Sequence, residues 1–97
     1  MSIPKIIHQT YRSLDLPPDI HKIVEELKFR NQAWEYRFYT DDDILFYIKK
    51  NFDYRTLDAY MRINPVYGAA KADLFRYLVL YKEGGVYLDI KSTCIYS

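Results

Sequence analysis

The chain has 97 residues and a formal net charge of +1, with 14 basic and 13 acidic side chains interspersed along it. This balance excludes the basic stripe that nucleic-acid binding needs, and no apolar run approaches the roughly 18–20 residues of a membrane-spanning helix. Length and a 49% hydrophobic composition predict one globular domain over residues 1–97. The amino terminus lacks the layout of a signal peptide and Cys94 has no cysteine to pair with, so we expect a cytoplasmic domain without an internal disulfide.

The first half of the chain predicts two strands, each followed by a helix. The β-branched run at 3–7 predicts the first strand, and the polar residues 8–13 follow at its carboxyl end, where open α/β sheets bind ligands. A helix is expected at 19–30 after a pair of prolines, and the aromatic alternation of 34–39 predicts the second strand. A further helix is expected at 42–50.

Three consecutive carboxylates, residues 41–43, have two interpretations. They resemble a metal site, but adjacent side chains on a helix point in different directions. With Thr40 as N-cap and Asp43 at the third helical position, they are better interpreted as a helix start that complements the helix dipole. A second short helix is expected at 54–62, capped by Asp53.

The second half of the chain predicts a long helix, a glycine turn and a strand. A helix over 69–82 is expected to bury one face, and Gly84 and Gly85 are expected to end it. Residues 86–91 then alternate, with an apolar side and a polar side. The residues of the predicted inner helical face are Ala70, Leu74, Tyr77, Leu78 and Tyr81, and those of the polar strand side are Tyr87, Asp89 and Lys91. The order β-α-β-α-α-α-β favours an α/β fold with a parallel or mixed sheet.

Several polar side chains are candidates for chemistry. His8 follows the first strand, where an imidazole can contact a phosphate or can simply hydrogen-bond a neighbouring loop. Asp73 and Arg76 lie three residues apart on one helical face. They form either a surface ion pair or part of a functional cluster with Tyr87 and Asp89, because the glycine turn folds the strand back along the helix.

Two separated motifs resemble the DXD-containing glycosyltransferases, which include initiation-specific α-1,6-mannosyltransferases and capsular-polysaccharide transferases. They are AAKADLFRY over 69–77 and LYKEGGVYLD over 80–89. The opening IPKIIHQTY over 3–11 is similar to that family's first strand and donor loop, and 34–43 is similar to its second strand and following helix. The resemblance covers nearly the whole chain.

The resemblance implies a GT-A fold: a Rossmann-like, nucleotide-sugar-binding half with a mostly parallel sheet and flanking helices. It implies transfer of a sugar from a UDP- or GDP-sugar to a glycan or other acceptor. Because that family's domain runs to roughly 200 residues, we expect a truncated, donor-binding half. Two alternatives stay open. One is a non-catalytic nucleotide-sugar-binding module or degenerate fragment completed by another chain, and the other is a purely structural α/β domain.

The resemblance also implies roles for individual residues. Asp73 and Arg76 would contact the ribose and sugar of the donor, Tyr87 would line the nucleotide pocket, and Asp89 would hold sugar or ribose hydroxyls. Tyr11 would stack near the base. In the same donor loop, His8 and Thr10 are further candidates for donor contact.

Lys91 departs from the family's motif. The resemblance implies that Asp89 and a second Asp, the third residue of D-x-D, hold Mn²⁺ or Mg²⁺. Lys91 stands in place of that second Asp, and an ammonium cannot ligate a cation. It could instead neutralise the diphosphate of the donor. Three alternatives stay open: the chain is independent of metal, binds metal through other groups, or lacks activity. We favour altered metal use over loss of donor binding.

The last predicted strand, 86–95, is an open apolar edge. Such an edge tends to pair with another chain, which predicts a homo-oligomer formed through it.

Overall fold

The computed structural model describes residues 3–93 and shows a parallel sheet flanked by helices. The elements are β1 (Ile6–Thr10), α1 (Pro18–Arg30), β2 (Glu35–Tyr39), α2 (Asp41–Asn51), α3 (Tyr54–Arg62), α4 (Gly68–Glu83) and β3 (Val86–Tyr87). The predicted order and the α/β class are confirmed. Within the described part of the chain, no helix combines the length and the apolarity that crossing a membrane requires.

β1 is the central strand, and the sheet order is β2-β1-β3. His8 lies between Arg37 of β2 and Tyr87 of β3, so these three side chains share one face of the sheet. α2, α3 and α4 cover this face. α1 lies on the opposite face, where the Lys28 ammonium sits 5.2 Å from the centre of the Tyr36 ring.

The main core lies between the sheet and the three later helices. The Phe75 side chain of α4 is fully buried, and its ring meets that of Tyr39 edge-on at 5.1 Å between centroids. Each fully buried side chain of this kind contributes roughly 1.5–3 kcal/mol. The cluster therefore fixes α4 across the sheet; its buried members are Tyr39, Ile44, Ile48, Tyr60, Phe75 and Val79.

The predicted inner face of α4 is partly wrong. Leu74 and Leu78 pack against the core as expected, whereas Ala70 is exposed and Tyr77 and Tyr81 are 72% and 86% exposed. α4 carries two apolar stripes, and the one that contains Phe75 and Val79 packs against the sheet. Tyrosine tolerates the solvent side because its ring ends in a hydroxyl.

The strand boundaries also differ from the prediction. His8, Gln9 and Thr10 lie inside β1 rather than in a loop after it. β3 ends at Tyr87 rather than at residue 91, because the Asp89 carbonyl accepts hydrogen bonds from the Ser92 N–H and the Gln9 side chain instead of continuing the ladder. The end of the predicted open edge, residues 94 and 95, lies outside the described residues.

The predicted helix caps are confirmed. The Asp43 N–H donates to the Thr40 hydroxyl at 3.2 Å and the Thr40 N–H donates to the Asp43 carboxylate at 2.9 Å, which is a capping box. Asp53 caps α3 by accepting from the Thr56 N–H. The consecutive carboxylates at 41–43 therefore begin α2.

Candidate functional site

A cleft of about 390 Å³ lies at the carboxyl ends of β1 and β3. One wall is α4 and the other is the chain from Tyr87 to Ile90; we call it the α4–β3 cleft. Open α/β sheets bind ligands in this position. Five of the predicted site residues meet here, and the full lining is Thr10, Ala69, Ala72, Asp73, Arg76, Tyr87, Asp89 and Ile90.

The α4 wall presents an ion pair beside two small residues. Ala69, Ala72, Asp73 and Arg76 follow the spacing of one helical face. The Asp73 carboxylate lies 3.3 Å from the Arg76 guanidinium, and the two side chains are 62% and 46% exposed. An ion pair this exposed contributes roughly 0–1 kcal/mol to stability, so both groups are available to a ligand.

In the wall that follows β3, the Tyr87 hydroxyl is held by a hydrogen bond, and one of the two Asp89 carboxylate oxygens is already hydrogen-bonded. The Tyr87 hydroxyl and the Thr10 hydroxyl share a hydrogen bond of 2.7 Å. One oxygen of the Asp89 carboxylate accepts from the Lys91 N–H at 3.0 Å. Its other oxygen has no hydrogen-bond partner within residues 3–93, so it can accept one from a ligand hydroxyl.

A glycine turn joins the two walls. Gly84 and Gly85 have φ values of +76° and +89°, a conformation that side chains disfavour. A Cβ at Gly85 would overlap the Ile6 carbonyl oxygen of β1. Glu83, just before the turn, accepts from Arg37 at 2.7 Å, and this hydrogen bond holds the pKa of the Glu83 carboxyl below its ordinary value.

His8 lies under this turn and does not reach the cleft. Its side chain is fully buried, with Nε2 2.8 Å from the Gly84 carbonyl and Nδ1 2.9 Å from the Tyr39 hydroxyl. Because a carbonyl only accepts, Nε2 carries the proton and Tyr39 donates to Nδ1. Burial lowers the pKa of His8, so the ring is neutral. Neither nitrogen is open to a phosphate, and the alternative of a hydrogen-bonded histidine is confirmed.

Tyr11 and Lys91 also lie away from the cleft lining. The Tyr11 N–H donates to the Tyr39 carbonyl at 3.0 Å, and the Arg12 guanidinium sits 5.4 Å from the Tyr11 ring centre. Lys91 is exposed in the turn after Asp89 rather than on a strand face shared with it. The structure thus brings together Thr10, Asp73, Arg76, Tyr87 and Asp89, and leaves His8, Tyr11 and Lys91 outside.

Sequence reasoning missed the residues that shape and support the cleft. Ala69 and Ala72 are small residues of the α4 wall, and Ile90 lines the opposite wall. Gln9 is fully buried, and its side-chain amide donates to the Asp89 carbonyl at 2.8 Å. The sequence allows Gln9 to be placed in the strand, because an uncharged polar residue next to a β-branched run is as compatible with a strand as with a loop.

The donor atoms of the cleft favour polyhydroxylated and phosphorylated ligands over a metal ion. Carboxylates accept from hydroxyl groups, and a guanidinium binds phosphate through paired hydrogen bonds. Asp73 is already paired with Arg76, and Lys91 stands two residues after Asp89, where a second carboxylate would be needed. Residues 3–93 hold no group of three or more His, Cys, Asp or Glu side chains that could bind a metal. The described side chains therefore do not fit a metal site built by the protein alone.

Known proteins similar to this chain are glycosyltransferases. It is 32% identical over 95 residues to inositol phosphoceramide mannosyltransferase 3 of Schizosaccharomyces pombe, covering 96% of this chain and 25% of that protein. Identity is 34% over 92 residues to mannosyl phosphorylinositol ceramide synthase SUR1 of Saccharomyces cerevisiae, covering 95% and 23%. It is 35% over 96 residues to uncharacterized glycosyltransferase L373 of Acanthamoeba polyphaga mimivirus, covering 95% and 37%.

The chain thus spans between about a quarter and somewhat more than a third of the length of these relatives. No solved structure matches it. Residues 17–97 match the family described as the glycosyltransferase sugar-binding region containing the DXD motif. That match includes every residue that lines the α4–β3 cleft except Thr10. The chain therefore belongs to this family of glycosyltransferase sugar-binding regions.

Proposed function

We propose that the chain is the donor-binding part of a glycosyltransferase and that a nucleotide-sugar, a UDP- or GDP-sugar, binds in the α4–β3 cleft. Transfer to a glycan or another hydroxyl-bearing acceptor would follow. The observation that supports this is the meeting of Asp73, Arg76, Tyr87 and Asp89 in one cleft at the carboxyl ends of the strands.

The proposed contacts follow from the chemistry of each group. Arg76 binds the diphosphate of the donor with its guanidinium fork. Asp73 and the free oxygen of Asp89 accept hydrogen bonds from ribose or sugar hydroxyls. Tyr87, held by Thr10, offers its ring edge to the nucleotide. No residue is assigned as catalytic.

Mannose is the first sugar to test. Two of the relatives carry names that describe them as mannosyl-transferring enzymes, and GDP-mannose is therefore the first donor to titrate, with UDP-glucose as the comparison. Calorimetry measures the affinity of each. If neither these nor other UDP- and GDP-sugars bind, the proposed function is wrong.

Asp89→Asn tests the cleft directly. The amide keeps an oxygen for the Lys91 N–H but removes the charge, and hydrogen bonds to charged groups contribute about 1.5–3 kcal/mol. We expect donor affinity to fall roughly 10- to 100-fold while the melting temperature stays close to that of the wild type. Asp58→Asn, on α3 and away from the cleft, is the matched control. A large loss of melting temperature in Asp89→Asn, with binding unaffected, would favour the purely structural interpretation.

We further propose that donor binding does not need a divalent cation, because Lys91 is the third residue of the D-x-D motif, where a second Asp would stand. Titrations with Mn²⁺, with Mg²⁺ and with a chelator should give the same affinity. Lys91→Asp restores two carboxylates at the motif and should introduce a cation dependence. A wild-type protein that binds donor only with Mn²⁺ contradicts this proposal.

A binding module without turnover is the second candidate function. It is favoured by the same Lys91, which leaves the motif without its second carboxylate. Release of nucleoside diphosphate from the bound donor, in water and with sugar acceptors, separates the two functions. Release supports a transferase, and tight binding without release supports the binding module.

A further inference from the structure

The strand that leads into the cleft is held by very few main-chain contacts. β3 pairs with β1 at two positions, and the last hydrogen bond of the ladder runs from the Leu88 N–H to the His8 carbonyl at 3.0 Å. Asp89 follows immediately, in a turn. The ladder therefore does not determine where the Asp89 carboxylate lies.

Gln9 supplies the missing contact. Its side chain is fully buried in the central strand, and its Nε2 donates to the main-chain carbonyl of Asp89 at 2.8 Å. The Tyr36 hydroxyl donates to Gln9 Oε1 at 2.7 Å. These contacts connect β2, β1 and the chain after β3 across one face of the sheet.

Chemistry fixes the orientation of the Gln9 amide. The Asp89 carbonyl only accepts hydrogen bonds, so the amide nitrogen faces it and the amide oxygen faces Tyr36. Burial raises the pKa of Tyr36 above its ordinary value, so this hydroxyl stays protonated and donates. The Lys28 ammonium over the Tyr36 ring further restrains that side chain.

We propose that Gln9 is a positioning residue of the α4–β3 cleft: it holds the Asp89 carbonyl, and Tyr36 orients the Gln9 amide. The inference deepens the proposed function, on which it rests for the role of Asp89 in donor binding. Gln9 itself lies on the opposite face of the sheet from Thr10 and Tyr87, and it does not line the cleft.

Three variants test the contact. Gln9→Met keeps the length of the side chain but cannot donate. Gln9→Glu keeps its shape but, in its ionised form, turns an acceptor oxygen towards the Asp89 carbonyl. Tyr36→Phe removes the hydroxyl that orients the amide. Gln32→Glu makes the same chemical change at an exposed position and is the matched control.

Two readouts are measured on each variant: affinity for GDP-mannose, with UDP-glucose as the comparison, and amide hydrogen exchange. Losing one buried hydrogen bond should weaken donor binding about tenfold in Gln9→Met. Exchange at the Lys91 and Ser92 amides, which both donate to Asp89, should rise about tenfold, while exchange in the middle of α2 at Ile48 stays unchanged. Gln9→Glu should show at least this effect and Tyr36→Phe a smaller one, with Gln32→Glu equal to the wild type.

The outcomes separate this proposal from the proposed function. Unchanged affinity and exchange in the Gln9 variants overturn the positioning role, as does an increase in exchange that is equal throughout the chain. If the wild type binds no nucleotide-sugar, the proposed function fails, and exchange at Lys91 and Ser92 still decides whether Gln9 positions Asp89. If Gln9→Met does not fold, Tyr36→Phe decides through the same two readouts.

Discussion

At the scale of single residues, the polar side chains divide into two groups by burial. Asp73, Arg76 and Asp89 are exposed in the cleft and contribute little to folding. His8 and Gln9 are fully buried and make hydrogen bonds that hold the chain on either side of β3. Substitutions in the first group should change binding, whereas those in the second should change both binding and stability.

Arg76→Met tests the first group. We expect it to weaken donor binding by about tenfold or more, because it removes the paired hydrogen bonds proposed for the diphosphate. Its free energy of unfolding should change by less than about 1 kcal/mol. Arg62→Met is the control, since Arg62 forms a comparable ion pair with Asp58 on α3, outside the cleft. Calorimetry and denaturant unfolding measure both quantities, and equal binding by the two variants would exclude Arg76 from the donor site.

The sequence predicted the cleft residues that lie on regular elements. Asp73 and Arg76 follow from helical spacing, and Tyr87 from its place after the glycine turn. Continued alternation would put Lys91 on the strand face of Asp89, but β3 ends at Tyr87. The turn after Asp89 depends on the Gln9 side chain, a contact between residues 80 positions apart, which local patterns do not contain.

At the scale of elements, the α4–β3 turn determines how the two walls of the cleft meet. The turn needs glycine for two reasons, the positive φ of both residues and the close approach of Gly85 to the Ile6 carbonyl. Two contacts restrain the turn: the hydrogen bond from His8 to the Gly84 carbonyl and the ion pair between Arg37 and Glu83. Helix and strand are thereby fixed relative to each other.

Gly85→Ala tests this requirement. Both the strained backbone and the overlap with β1 should destabilise the domain by about 2 kcal/mol or more. Gly68→Ala is the matched control, because Gly68 has no positive φ and its added methyl group meets nothing within 4 Å, so its stability should stay close to that of the wild type. Denaturant unfolding of both variants provides the comparison. Equal stabilities would show that the turn accommodates a side chain.

Local signals predicted the helices better than the strands. α3 has the bounds and the Asp53 cap that were expected, because a cap depends on residues three positions apart. The extent of β3 depends instead on a distant partner, β1. The buried face of α4 was misassigned for the same reason: two apolar stripes are equivalent until the sheet packs against one of them.

At the scale of the whole molecule, the neutral buried His8 links stability to pH. Burial lowers its pKa in the folded protein below the value of 6.5 expected in an unfolded chain. As pH falls through 6.5, the unfolded state takes up a proton that the folded state does not, so stability decreases. Burial, with a smaller contribution from the Arg37 charge, lowers the pKa of His8 and outweighs the Gly84 hydrogen bond and the Glu83 and Glu35 charges, which raise it.

We therefore expect the free energy of unfolding to fall between pH 7.5 and pH 5.5, by at most about 1.4 kcal/mol per pH unit for one proton. His8→Gln should flatten this dependence, although it also lowers stability at pH 7.5. His21→Gln, at an exposed position of α1, should keep the wild-type slope. Denaturant unfolding across this pH range is the measurement. A wild-type slope in His8→Gln would assign the dependence to other groups.

Homo-oligomer formation through the edge beside β3 stays a prediction. The structure shows two paired residues there, and short edge strands offer few main-chain groups to a partner chain. Light scattering over a range of concentrations tests it: a concentration-dependent rise towards the mass of a dimer supports pairing, and a constant mass of 11.7 kDa contradicts it.

The central position of β1 has a consequence for the order of folding. β1 comes first in the chain, yet its second partner lies near the opposite end, so the sheet closes across the longest loop in the fold. Closing a long loop costs more entropy than closing a short one. We expect the Glu35 amide, which donates to the Lys5 carbonyl, to be protected earlier in pulse-labelled refolding than the Leu88 amide, which donates to His8. During synthesis on the ribosome, the α4–β3 cleft would then assemble after β1 and β2 have paired.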